Sequence, residues 1–264
     1  MPDFTAKDVQ KLRQLTGVGM LDAKKALEEN GGDMDKSVTW LREQGKASQA
    51  KRADREASQG AVAIGRGDDV ASIVQLRCET DFVAKSDEFV ALVTSLADLV
   101  AAKGEDAVEE RRDDVERLTQ TLKENISVGR VVRITAPAGG VVDSYLHTQA
   151  GRGVNAVVVA LDGGTAELAH DIAAHIAFAR PLYITRDEVP EDEVAAERQT
   201  VENIARNEGK PDAALPKIVE GRLGGWYKER VLVDQAYVKD EKQTIAKLLG
   251  PISVTQFAQV VVGD

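Results

Sequence analysis

The sequence predicts an α+β protein: a small N-terminal bundle of three helices, then a core of two related antiparallel-sheet-and-helix subdomains with an inserted helical hairpin. Three observations lead there. Short segments of helical apolar spacing, broken by glycine pairs, fill the first 45 residues. A strand–turn–strand–helix pattern occurs twice, about eighty residues apart. Between the second of these patterns and the last strands, Pro190 opens a pair of helical segments. The expected divisions are 1–57 for the helical module with a basic linker, 58–135 for the first core subdomain, and 136–264 for the second, with the hairpin at about 190–224.

In the module, Thr5 and Asp8 have capping-box spacing, and Val9, Leu12 and Leu15 or Thr16 follow on one helical face. Thr16-Gly17-Val18-Gly19-Met20 breaks that helix. Ala23, Ala26 and Leu27 line a second helix, which Asn30-Gly31-Gly32 terminates. Asp33 is placed to cap a third, with Met34, Val38 and Leu41 on one face and Gly45 just past its end. Residues 46–59 lack large apolar side chains and carry Lys46, Lys51, Arg52 and Arg55, so they read as a solvated, partly helical tether; contact with ribosomal RNA or an acidic partner is the alternative.

The first core pattern is Gly60–Ile64, a turn at Gly65-Arg66-Gly67, the strand Val70–Cys78, and a helix with Phe89, Leu92, Val93, Leu96 and Val100 on one face. The second is Gly140–His147, a turn at Gly151-Arg152-Gly153, the strand Val154–Leu161, and a helix marked by Leu168, Ile172, Ile176 and Ala179 and ended by Pro181. The repetition suggests two subdomains side by side. Between them, Val108, Val115, Leu118 and Leu122 mark a charged helix leading to a strand at Arg130–Thr135. In the hairpin, Val194, Val201, Ile204 and Ala205 share a face, and Leu215, Ile218, Val219 and Leu223 form a short second helix in which Pro216 sits awkwardly. Val231–Val238 and Val254–Val262 read as strands around a small helix at Lys242–Leu249.

Composition narrows the function. Over 264 residues, 34 basic and 44 acidic side chains give a net charge of −10, the wrong sign for a general nucleic-acid or anionic-membrane binder. Within 1–57, eleven basic and ten acidic residues give +1, so the remainder carries −11. Aromatics at 4% argue against base-stacking platforms. The longest apolar run, near Ala156–Leu161, is far short of the ~20 residues a spanning helix needs. Asp3 and Lys7 precede any apolar run, and Cys78 stands alone without a disulfide partner. The expected location is the cytoplasm.

No motif carries enzymatic chemistry. GxxxxGK[ST] and GxSxG are absent, and the Gly-x-Gly pairs at 17–19, 65–67 and 151–153 do not extend to GxGxxG. His170 and His175 are five apart, off the i, i+4 spacing of a helical metal pair, and read as surface or packing residues. His147 closes a strand, where packing and partner contact are equally open, and Cys78 reads as a small buried hydrophobe. No metal, cofactor or nucleotide site is expected on this chain.

One segment resists a structural explanation: Cys78-Glu79-Thr80-Asp81-Phe82-Val83-Ala84-Lys85-Ser86, between a strand and a helix. Thr80 or Ser86 suits a helix cap. Phe82 does not suit a polar turn; it is either folded onto the core or presented to a partner.

Thr80-Asp81-Phe82-Val83-Ala84-Lys85 resembles the signature loop of bacterial elongation factor Ts, the nucleotide exchange factor of elongation factor Tu. Leu12–Leu27 resembles that family's ubiquitin-associated-like N-terminal module, and Asn125–Arg130, Tyr145-Leu146-His147, Gly209-Lys210-Pro211 and Val219–Arg222 match later landmarks in order. The resemblance implies a guanine nucleotide exchange factor without covalent chemistry of its own. Its partner would be elongation factor Tu, GDP-bound or nucleotide-free, with no membrane or nucleic-acid partner. It implies that Thr80, Asp81, Phe82 and Val83 form the partner-binding loop, that Phe82 enters an apolar gap between partner helices, that Asp81 unsettles the surroundings of the partner's Mg²⁺, and that His147 is a further contact. Some family members continue past the last strand into a C-terminal helix, whereas this sequence stops at Val262-Gly263-Asp264. The competing expectation is a ribosome- or peptide-binding adaptor without exchange activity.

Overall fold

The computed structural model describes residues 4–52 and 55–264, with backbone alone over 46–52. Helices α1 (Ala6–Thr16), α2 (Met20–Glu29) and α3 (Met34–Arg52) form the N-terminal bundle around Val9, Leu12, Ala23, Ala26, Leu27 and Leu41. The Asp8 carboxylate accepts both the Thr5 N–H (2.8 Å) and the Thr5 hydroxyl (2.7 Å), so Asp serves where Glu is usual. Gly17, at φ 73°, closes α1 in the left-handed conformation. Gly45 does not end α3. The helix runs on to Arg52, and Gly45 instead lies against the Gln120 side chain, which a Cβ would meet at 2.5 Å. The side chains of Lys46, Lys51 and Arg52, and all of Ala53 and Asp54, lie outside the described residues.

Strands β1 (Gln59–Arg66) and β2 (Val70–Cys78) pair antiparallel, with Ala61 opposite Leu76. A single helical turn, α4 (Asp81–Ala84), leads into α5 (Asp87–Lys103), and a 3₁₀ stretch at Glu105–Arg111 precedes α6 (Arg112–Leu122). β3 (Ser127–Thr135) then completes a sheet of order β1-β2-β3. The second sheet has order β4-β5-β8, from β4 (Val141–Gln149), β5 (Arg152–Leu161) and the last strand of the chain, β8 (Val254–Val261). Helix α7 (Ala166–Ala179) follows β5.

The two sheets are stacked rather than side by side. Alternate residues of β1 divide the work: Ala61 and Ala63 pack on Phe89, Leu92, Val93 and Leu96 of α5, while Val62 packs inward. Likewise Val157, Val159 and Leu161 face Ile172 and Ile176 of α7, whereas Ala156, Val158 and Ala160 meet Val62, Ile73 and Ile134 of the first sheet. The layers therefore run α5, first sheet, second sheet, α7. The cause is visible in β5, whose run Ala156–Leu161 is apolar on both faces, as a strand covered on both sides requires.

The two Gly-x-Gly segments are only half turn. The first hairpin turns after Arg66, and Gly65 stays in β1 beneath α5, where a Cβ would stand 2.1 Å from the Ala97 carbonyl oxygen. The second turns at Ala150-Gly151, both at positive φ, and Gly153 stays in β5, where a Cβ would stand 2.2 Å from the Val62 carbonyl oxygen across the inter-sheet gap. Each hairpin thus spends one glycine on close packing.

The hairpin is longer than the sequence suggests. α8 (Glu191–Asn207) follows Pro190, which caps the helix rather than opening it, and α9 (Leu215–Arg230) runs six residues past Gly224. Pro216 lies in the first turn of α9, where a missing N–H costs nothing. Val201, Val219 and Leu223 close the two helices on each other, aided by ion pairs Arg198–Glu220 and Arg222–Glu208. The predicted strand Val231–Val238 is mostly not one. Leu232 and Val233 donate to the Tyr183 and Ile184 carbonyls from a 3₁₀ turn, leaving only β6 (Ala236–Tyr237) to pair with β7 (Asp240–Thr244) ahead of α10 (Ile245–Leu249). His175 of α7 is fully buried, its Nε2 2.9 Å from Gln235 Oε1, and burial holds its pKa below 6.5; it is a packing residue.

Candidate functional site

The loop after β2 is built to hold its backbone and display one side chain. Thr80 caps α4, its hydroxyl accepting the Val83 N–H at 3.3 Å. Ser86 returns the chain, donating its hydroxyl to the Val83 carbonyl at 2.8 Å from the position just before α5. Ala84 is fully buried and Val83 packs half-buried on the first core, so the C-terminal end of the turn is anchored. Phe82, just ahead of them, is 84% exposed. That removes the alternative in which it folds onto the core. On a one-turn helix, residues 82 and 84 point to different sides, so burying Ala84 turns Phe82 outward.

Asp81 forms an i, i+4 ion pair with Lys85, whose hydrogen bond holds the Asp81 carboxyl below the usual carboxylate range. The pair is part-exposed and adds little to stability. Asp81 and Lys85 also line an open cleft of about 380 Å³ with Gln59, Gln149, Ala150 and Arg152. The loop therefore faces the tip of the β4–β5 hairpin. Arg152 fixes that approach from below: it is buried and donates to the Gly60 carbonyl (2.6 Å) and to Gln59 Oε1 (3.1 Å). His147 is exposed on β4, opposite Asn155 and two residues before Gln149, but does not itself line the cleft.

Sequence reasoning missed Glu124 and Arg152. Glu124 Oε2 accepts the Glu79 and Thr80 N–H groups, both at 3.0 Å, and Oε1 accepts the Thr80 hydroxyl at 2.5 Å. In the sequence it looks like any charge at a helix end. Only its place after Lys123, which caps α6 at φ 60°, aims it at the loop. Cys78 is buried beside these groups, and burial, then the Glu124 charge, push its thiol up to about 12. It is a neutral core side chain.

The fold is that of an α+β protein, two stacked antiparallel sheets with an aromatic side chain displayed on a capped turn at one end of the first. The family model described as Elongation factor TS matches residues 79–264. Proteins named elongation factor Ts from Clavibacter sepedonicus, Acidothermus cellulolyticus and Mycobacterium marinum are 44%, 45% and 43% identical over 282, 283 and 281 residues, with the whole of each chain covered. The chain belongs to the elongation factor Ts family. Its role lies in the elongation stage of protein biosynthesis.

Proposed function

We propose that the chain is a guanine nucleotide exchange factor that binds elongation factor Tu, disturbs its Mg-GDP site and promotes GDP release, working in the cytoplasm without covalent chemistry of its own. The observation that carries this is Phe82, 84% exposed on a turn held at one end by the Thr80–Glu124 hydrogen bonds and at the other by buried Ala84. Such a side chain enters an apolar gap of the partner without first leaving a core of its own. Its burial there supplies binding energy that the free factor does not already use. Asp81 stands one residue away, and its ion pair with Lys85 is part-exposed, so turning the carboxylate toward the partner's metal surroundings costs little. Thr80 and Val83 set the turn. His147, exposed on the neighbouring hairpin, is proposed as a further contact, and residues 1–57 as a docking unit.

Exchange of this kind needs no nucleotide site on the factor. By linkage, a factor that weakens GDP on its partner is weakened by GDP in the same ratio. It stabilises the nucleotide-poor partner and leaves when GTP binds. The test is release of labelled GDP from elongation factor Tu with and without the full chain at fixed Mg²⁺. Release that rises with factor concentration is expected. Stable binding with unchanged release contradicts exchange and favours an adaptor.

A further inference from the structure

We infer that Glu124 is a positioning residue of the Phe82 loop, its carboxylate fixing the chain just ahead of the turn and so the pose in which Phe82 is presented; this rests on the exchange function proposed above. Three donors converge on this one group: the N–H of Glu79 and of Thr80 at 3.0 Å on Oε2, and the Thr80 hydroxyl at 2.5 Å on Oε1. The contact is reciprocal, because the Glu79 carboxylate accepts the Asn125 N–H at 2.7 Å.

The hydroxyl is the critical member. A threonine hydroxyl has one proton to donate and lone pairs to accept with. By taking that proton, Glu124 sets the rotor and leaves a lone pair for the Val83 N–H, the bond that starts α4. A one-turn helix has no internal partners for its first N–H groups, so its geometry depends on that cap. A neutral amide cannot replace the carboxylate, since it offers a single acceptor oxygen and sets an NH₂ against the remaining donors.

The same corner also touches the rest of the N-terminal half. Lys123 pairs with Asp22 of α2 at 3.1 Å. The Asn125 side chain donates to the Arg55 carbonyl at 2.8 Å, and the Arg55 guanidinium lies 3.5 Å from Glu79. The loop is thereby tied to the N-terminal module as well as to its own sheet.

The test compares the full chain with Glu124→Gln in two measurements. Amide hydrogen exchange is expected to rise at Glu79, Thr80 and Val83 while β2 and α5 stay protected, which also verifies the fold. Titration of each factor into elongation factor Tu carrying labelled GDP is expected to show a maximal release rate at least about tenfold lower, with a smaller change in the half-saturating concentration. A merely structural Glu124 would lower the amount of competent factor and move protection throughout the sheet. Unchanged loop protection overturns the inference, as does an unchanged maximal rate with the loop amides opened. If the wild-type chain itself gives no stimulation, the exchange function fails, and loop protection still decides whether Glu124 fixes the turn.

Discussion

Replacing Phe82 with alanine is expected to slow GDP release from elongation factor Tu by roughly 10- to 150-fold while leaving the factor folded. The two halves of that expectation come from different places. Phe82 is 84% exposed in the free chain, and substitutions at such positions usually change stability by less than about 0.5 kcal/mol. Phe89, seven residues on, has no exposed surface and packs against β1 and β2; its truncation belongs to the class that costs about 3–5 kcal/mol. The pair Phe82→Ala and Phe89→Ala should therefore separate function from folding within one short segment. The rate effect follows from the burial of a large apolar side chain in the partner, about 1.5–3 kcal/mol, realised only in the nucleotide-releasing complex. Melting curves and release rates on both variants check it. A folded Phe82→Ala protein with normal release rejects the wedge.

A loss of stability of similar size is expected from adding one methyl group at Gly153 or Gly65. Each Cβ would press on backbone rather than on a side chain that could turn away: the Val62 carbonyl oxygen at 2.2 Å for Gly153, the Ala97 carbonyl oxygen at 2.1 Å for Gly65. Relief requires moving one sheet from the other, or α5 from its sheet, in a core packed at crystal-like density. We expect Gly153→Ala to cost about 3 kcal/mol or more, a fall in Tm of about 6–12 °C for a chain of this size. Gly221→Ala in α9 is the control. Nothing lies within 4 Å of its added Cβ, and alanine is the better helix former, so that variant should hold or raise Tm. Equal Tm values for Gly153→Ala and wild type would show that the sheets are not stacked at this distance.

Much of the α+β frame was legible because its signals are local. Short apolar runs bounded by glycine turns mark β1 and β5, and 3.6-residue spacing marks α5 and α7, whatever lies around them. Stacking of the sheets was missed: in the sequence Ala156–Leu161 reads only as an apolar run too short to span a membrane, and what covers each face of β5 is something no local pattern states. The errors have the same origin. Gly45 and Pro216 carry strong local meanings, yet Gly45 stays in α3 because Gln120 lies against it, and Pro216 is harmless because α9 starts just before it. The Val231–Val238 run has strand composition, but the carbonyls of Tyr183 and Ile184 take its first N–H groups into a turn. At the loop, spacing left Phe82 undecided between core and display, and burial of Ala84 decides it. Glu124 was out of reach from spacing, because its partners lie 44 and 45 residues earlier in the chain.

The central claim is that the free energy of holding this chain and the free energy of holding GDP oppose each other on elongation factor Tu. Its most direct test is calorimetric or fluorescence titration of the wild-type chain into the nucleotide-free and the GDP-loaded partner under one Mg²⁺ concentration. Coupling energies between sites usually correspond to about 5- to 150-fold, and a factor that drives exchange should lie at or beyond the upper end. The expected result is a Kd for the nucleotide-free partner at least about 100-fold tighter than for the GDP-loaded one, matched by the same fold loss in GDP affinity when the chain is present. Equal Kd values for the two forms, however tight, would contradict it, because a ligand with no preference between two states shifts neither.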